Sequence, residues 1–231
     1  MVMFSGAVLA GGRSRRMGRD KAFVEVDGIP MIERVAAALE EAGAAEIRIT
    51  GGDQDRLEAL GLIVDPDAEP YAGPLAALIA SLEHAHHDTV FVLACDLPRV
   101  SAGAIGSILD ALGEDDAAVP TDAERRQWLH GVWRRRCLPT LRAAYEAGER
   151  AIHRAAEDLD VRIVAGVAPA VLADADSPGD LAGSPYPAPM HIAEIDIDEL
   201  TSQGRDATNV AGGTLGWIKA GHAVDRGAGS Y

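Results

Sequence analysis

Short apolar runs alternate along the chain with longer stretches in which apolar residues return every three or four positions. Ala7-Val8-Leu9-Ala10 is the first run and predicts a buried strand that breaks at Gly11-Gly12. Ala22 to Val26 with Asp27-Gly28 predicts an extended piece ending in a turn. Pro30 opens a predicted helix with Met31, Val35, Ala38 and Leu39 on one face, and Gly43 stops it. The next segments predict a strand at Ile47 to Thr50, a helix at Asp55 to Ala59, a strand at Leu62 to Val64 and a loop from Asp65 to Ala72. Gly73-Pro74-Leu75 then opens a helix. Thr89 to Ala94, TVFVLA, is an apolar strand, closed by Cys95-Asp96-Leu97-Pro98. Ser101 caps a helix reaching Leu112. Ala117 to Pro120 and His130 to Trp133 predict strands, and Leu138 to Leu159 a helical stretch broken near Gly148. Val161 to Val164 and Val171-Leu172-Ala173 predict two late strands. Strands alternating with helices imply an α/β fold with a mainly parallel sheet, whose ligands bind beyond the C-terminal strand ends.

Composition narrows the classes. With 48% hydrophobic residues among 231, the chain can bury a sizeable core. A net charge of −15 argues against general affinity for nucleic acid or anionic membranes. Two cysteines, Cys95 and Cys137, are too few for a disulfide framework. With no signal pattern and no long apolar run, the expectation is a soluble cytoplasmic protein.

Against that acidic average, Arg13, Arg15, Arg16, Arg19 and Lys21 follow directly on the first strand and its two glycines. Glycines let the backbone approach a ligand, exposed N–H groups form an anion-binding concavity, and the cations supply countercharge for phosphate. The local chemistry predicts a phosphorylated ligand, with a nucleotide as the natural choice. A P-loop does not fit, since Arg15 stands six residues before Lys21 and Asp20 precedes it; nor do the glycines form Gly-x-Gly-x-x-Gly.

Leu9-Ala10-Gly11-Gly12, Ser14, Arg16-Met17-Gly18 and Asp20-Lys21 together resemble the signature of nucleotidyltransferases that handle molybdenum cofactor, specifically the guanylyltransferases of the MobA type. The resemblance covers about residues 1–182. It implies a Rossmann-like three-layer fold and transfer of GMP from GTP to molybdopterin, with Mg²⁺ as cofactor. Molybdenum-insertion proteins and molybdoenzyme chaperones are the partners it implies. Arg16, Lys21 and Asp96 would be catalytic. Leu9, Ala10, Gly11, Gly12, Lys21, Asp67 and Asp96 would bind the nucleotide, and Asp96 with Asp176 would hold the metal. A cytidylyltransferase relative, GTP-dependent transfer to a small phosphorylated acid, and a non-catalytic nucleotide-binding adaptor remain as alternatives.

The residues support these roles in part. Asp96 follows a buried strand and Pro98 blocks its continuation, which suits a Mg²⁺ ligand that shares the ion with phosphate and water. Asp174-Ala175-Asp176-Ser177-Pro178 resembles the family's late motif, with Asp176 favoured over Asp174. Asp67 resembles the carboxylate that reads guanine through N1–H and the 2-amino group, and Asp65 is its rival. Cys95 suits strand packing better than nucleophilic attack. Trp128 stands roughly where the family often has proline, and could line the pterin pocket or be buried. His130 suits a packed strand as well as a ligand site, and Arg134-Arg135-Arg136 suits a solvated basic rim better than a phosphate contact.

Residues 183–190 read as a Pro-rich linker. In the tail, 191–231, Ile195 to Leu200 and Asn209 to Val224 resemble the opening and closing segments of a rhodanese domain. The middle, including any cysteine after Cys137, is missing. A truncated, inactive rhodanese-like remnant is the expectation, since so short a segment buries little core.

Overall fold

The computed structural model describes residues 2–11, 20–65, 72–122 and 125–175. The linker at 183–190 and the tail at 191–231 lie outside them, as do Gly12, Arg16, Asp67 and Asp176. The chain opens with β1, Ser5–Leu9, buried at every position. A single 3₁₀ turn, Lys21–Phe23, leads into the hairpin of β2, Glu25–Val26, and β3, Ile29–Pro30. Its two-residue turn holds Asp27 at φ 53° and Gly28 at φ 78°, which is why glycine occupies the second position. Then come α1, Met31–Glu41; β4, Glu46–Thr50; α2, Gln54–Ala59; and β5, Ile63–Asp65. Next are α3, Pro74–His84; β6, Thr89–Ala94; α4, Ala102–Ala111; β7, Ala117–Asp122; and β8, Arg125–Arg126. The remaining elements are β9, His130–Arg134; α5, Leu138–Glu146; α6, Ile152–Ala155; β10, Val161–Val164; and α7, Pro169–Leu172.

The main sheet runs β10-β7-β9-β6-β1-β4-β5, with β8 paired to β7. The pairs β1–β4, β1–β6, β4–β5 and β7–β10 are parallel. β9 lies antiparallel between β6 and β7. The mainly parallel expectation therefore holds, with β9 and the short β8 reversed. The reversal of β9 matters for the site, because Leu93 near the end of β6 is registered with His130 at the start of β9. At Gly131 a Cβ would lie 2.7 Å from the Ala118 carbonyl oxygen, so only glycine allows β9 to sit this close to β7.

Alternation along the strands divides the core into two layers. Val8, Phe91, Leu93 and Val132 face one layer with residues of α1, α2 and α4, including Val35, Leu39, Leu57, Ile105 and Ile108. Ala7, Leu9, Val90, Val92 and Trp133 face the other, with Leu75, Leu78, Leu82, Leu141 and Ile152 from α3, α5 and α6. This is the expected three-layer α/β arrangement.

One predicted strand is corrected. Val171-Leu172-Ala173 is no strand: α7 is a single helical turn over Pro169–Leu172. Pro169 fixes a helical φ in that first turn and lacks the N–H a ladder needs, which outweighs the extended preference of Val171. Among the described residues no helix is long and apolar enough to cross a membrane.

Candidate functional site

The site is built where β1 and β6 end side by side. The Cys95 N–H donates to the Leu9 carbonyl at 3.1 Å, and the Ala10 N–H donates to the Thr50 carbonyl at 3.0 Å. The backbone of β1 is thus tied to both neighbours as far as Ala10. Leu9 and Ala10 are buried, and the chain emerges at exposed Gly11. It re-enters at Asp20, whose carboxylate accepts from the Ala22 N–H at 3.1 Å and caps the 3₁₀ turn. Ala22 is fully buried, so this turn is nailed to the core and Lys21 stands at its start.

Lys21 Nζ donates to Asp96 Oδ2 at 2.9 Å, with the two side chains 18% and 20% exposed. Asp96 stands between Cys95 and Leu97, both buried, so the turn after β6 is anchored while its carboxylate is half-open. Burial, aided by the Asp96 and Asp20 carboxylates, pushes the Cys95 thiol up to about 12. A thiol held so high is a poor nucleophile, as the packing role expected. The Ala175 N–H donates to the Asp96 carbonyl at 2.9 Å and brings the late acidic segment alongside. Lys21, Asp96 and Asp174, far apart in the chain, therefore meet at one edge.

Asp96 and Asp174 line a cavity of about 820 Å³, and Lys21 is joined to its wall through Asp96. Ala94, Asp96, Leu97, Pro74, Leu172 and Asp174 form part of its wall. Arg125 to His130 and Ala151 to His153 form the rest. Mg²⁺ takes one or two carboxylates and completes its shell with phosphate oxygens and water. Asp96, with Asp174 on the same cavity, fits that demand. Among the described residues no three His, Cys, Asp or Glu side chains converge as a protein-only metal cage would require.

Other candidates separate by their partners. Arg48 grips Asp65 with Nε at 3.1 Å and 2.8 Å from its two oxygens and adds Nη2 to Oδ1. Asp65 is 2% exposed, and this guanidinium spans both its oxygens. His130 is buried with neither ring nitrogen hydrogen-bonded, its ring edge-on to Phe91 at 6.3 Å, and burial pushes its pKa down to about 4. It is a neutral packed residue that borders the cavity. Arg134, Arg135 and Arg136 sit at the opposite end of β9 from the cavity. They donate to the carbonyls of Asp115 and Leu82 and to the Asp116 carboxylate respectively, at 3.1, 2.9 and 2.6 Å. They form a partly solvated rim away from the cavity, and their hydrogen bonds also clip that edge together. Arg125, Arg126 and His153 line the cavity and escaped the sequence reading; the signal was the basic pair placed two residues before Trp128.

Comparison with known proteins identifies the family and the fold. The molybdenum cofactor guanylyltransferase of Pseudomonas putida (strain GB-1) is 37% identical over 151 residues, 64% of this chain and 79% of that relative. The molybdenum cofactor guanylyltransferase of Vibrio campbellii is 31% identical over 150 residues, 64% of this chain and 77% of the relative. The crystal structure of molybdopterin-guanine dinucleotide biosynthesis protein A from Archaeoglobus fulgidus superposes with a TM-score of 0.63 at 24% identity. That match covers 77% of this chain and 94% of the other, and is a likeness of fold. The family description "MobA-like NTP transferase domain" matches residues 6–161, from β1 through the start of β10, and the chain belongs to that family.

Proposed function

We propose that this protein transfers GMP from GTP to the terminal phosphate of molybdenum-bearing molybdopterin, forming the guanine dinucleotide form of the cofactor and releasing pyrophosphate. The observation that carries this reading is the Lys21–Asp96 pair, 2.9 Å apart at the ends of the central strands, in a chain whose relatives are named for guanylyl transfer. An oxygen of the acceptor phosphate attacks the α-phosphorus, and the bond from that phosphorus to the bridging oxygen of pyrophosphate breaks. The acceptor is already an anionic nucleophile, so no serine or cysteine need be activated. Catalysis then rests on positioning and on neutralising charge.

Each residue has a part in that scheme. Lys21 donates to the phosphates, and Arg16 adds a second cation from the same loop. Leu9, Ala10, Gly11 and Gly12 carry the nucleotide on backbone, and glycine at 11 and 12 allows its close approach. Asp96 would hold Mg²⁺, with Asp176 favoured as its partner and Asp174 the rival; Ala175, between the two, is hydrogen-bonded to Asp96. When bound, the ion would draw charge off the triphosphate. Asp67 reads guanine, a reading supported by the commitment of its rival Asp65 to Arg48. The product is destined for molybdoenzymes, so molybdenum-insertion proteins and molybdoenzyme chaperones are the partners this role implies, in the cytoplasm.

Pyrophosphate release with molybdopterin and Mg²⁺, run with GTP, CTP and ATP side by side, tests the proposal. GTP is expected to lead by about tenfold or more, as losing one base-reading contact costs about 1–3 kcal/mol. Equal or better use of CTP would overturn it. The tail at 191–231 is proposed to take no part. Truncation after Gly183 is expected to leave turnover intact, and the whole chain to show no transfer of sulfur from thiosulfate to cyanide.

A further inference from the structure

The cavity has a second wall that the phosphate chemistry does not use. It is the link between β8 and β9, and its backbone is fixed on both sides. The Gln127 N–H donates to the Pro120 carbonyl at 2.9 Å, the Ala94 N–H to the Leu129 carbonyl at 3.0 Å, and the His130 N–H to the Gln127 carbonyl at 3.1 Å. Trp128 is carried at the centre of this frame and lines the cavity. Its ring lies 6.1 Å from that of Trp133, with 33° between the planes, and Trp133 is completely buried. The Arg126 guanidinium stands 5.7 Å from the Trp128 ring, and exposed Arg125 follows the same hairpin.

These features suit one kind of ligand. A propped indole offers a flat contact without paying the entropy of ordering a loose side chain. Two arginines beside it put cations on this wall of the cavity, which the carboxylates of Asp96 and Asp174 also line. The Ala94–Leu129 hydrogen bond fixes this wall to the strand end that carries Asp96 two residues later. Resting on the guanylyl-transfer reading, we infer that Trp128 with Arg126 and Arg125 forms the acceptor platform. The indole packs on the flat ring of the pterin while the guanidinium groups meet its anionic side arm, and the acceptor phosphate reaches toward Asp96. Trp128 is thus a specificity-determining residue for the acceptor and not for the nucleotide.

Two measurements on the full chain test this. The first is calorimetric titration with pterin-6-carboxylate, a flat anionic pterin, without GTP. Trp128→Ala is expected to weaken binding about tenfold, in the range alanine substitution gives for stacked bases, and Trp128→Phe to recover most of it. Arg126→Gln, at an exposed position, is expected to weaken it a few-fold more at low salt than at high salt. Far-UV circular dichroism melts confirm that each variant is folded. The second is steady-state kinetics, where Trp128→Ala is expected to raise the KM for molybdopterin about tenfold and leave the KM for GTP within twofold. No pterin binding by the wild type, equal affinity in a folded Trp128→Ala, or an equal rise in both KM values overturns the inference. Trp128-dependent pterin binding without GTP turnover supports the platform and counts against guanylyl transfer alone.

Discussion

Two aspartates stand at the ends of two strands of one sheet, β5 at its edge and β6 near its centre, and meet opposite fates. Asp65 ends β5 with its side chain 3% exposed, both oxygens taken by the planar guanidinium of Arg48. Asp96 follows β6, 20% exposed, with one oxygen on the single-point ammonium of Lys21. A buried fork of this kind is a closed structural unit, and removing one partner strands a charge. A half-open ammonium–carboxylate contact is exchangeable, since phosphate can take the lysine and a cation the aspartate. The first pair holds the sheet edge, and the second is the proposed centre of the chemistry.

Substitutions can break this contrast. The largest effect is expected for Asp96→Ala, with turnover lost by about 10³ or more while the melting temperature stays close to that of the wild type, since the carboxylate does not pack. Lys21→Ala follows, costing on the order of 10²–10³ in rate, as removal of one charge-stabilising donor does. Asp65→Ala is expected to show the converse: about 3–5 kcal/mol of stability lost in urea unfolding, with activity per folded molecule kept. A folded but inactive Asp65→Ala would dissolve the distinction.

A smaller effect sharpens the contrast from a third position. His130 is buried without hydrogen-bond partners and held near 4, against an ordinary 6.5. Between those values the unfolded chain binds a proton that the folded chain does not. Stability is therefore full above about 6.5 and is lost as pH falls through the window. The gap from 6.5 to about 4 corresponds to at most about 3 kcal/mol. His130→Phe is expected to flatten the dependence of unfolding free energy on pH in that window, and an unchanged slope would count against the assignment.

The legible parts of the fold were those written in continuous patterns. TVFVLA could only be a buried strand, and its limits match β6. Gly73-Pro74 and Ser101 marked the starts of α3 and α4, as glycine with proline and a capping hydroxyl should. The single turn of α7 was misread because a three-residue apolar run carries no period, so Pro169 was the only telling sign. Strand direction left no trace either, since period-two alternation is the same in both senses. Yet the reversal of β9 is what brings Trp128 and His130 to the cavity. At the site, Lys21 and Asp96 stood out singly, but their contact joins residues 75 apart and needed the fold. Asp65 and Asp67 could not be ranked from sequence, since the partner that takes up Asp65, Arg48, belongs to another strand.

Asp96 is proposed to be open to a cation beside the nucleotide, whereas Asp65 is closed to one by Arg48. Electron paramagnetic resonance of Mn²⁺ in place of Mg²⁺, titrated with the full chain and GTP, reads this directly. The wild type and Asp65→Ala are expected to take up the Mn²⁺–GTP complex alike, and Asp96→Ala to bind it about tenfold or more weakly. Equal uptake by a folded Asp96→Ala, or loss of uptake in a folded Asp65→Ala, would contradict the assignment of the reaction centre.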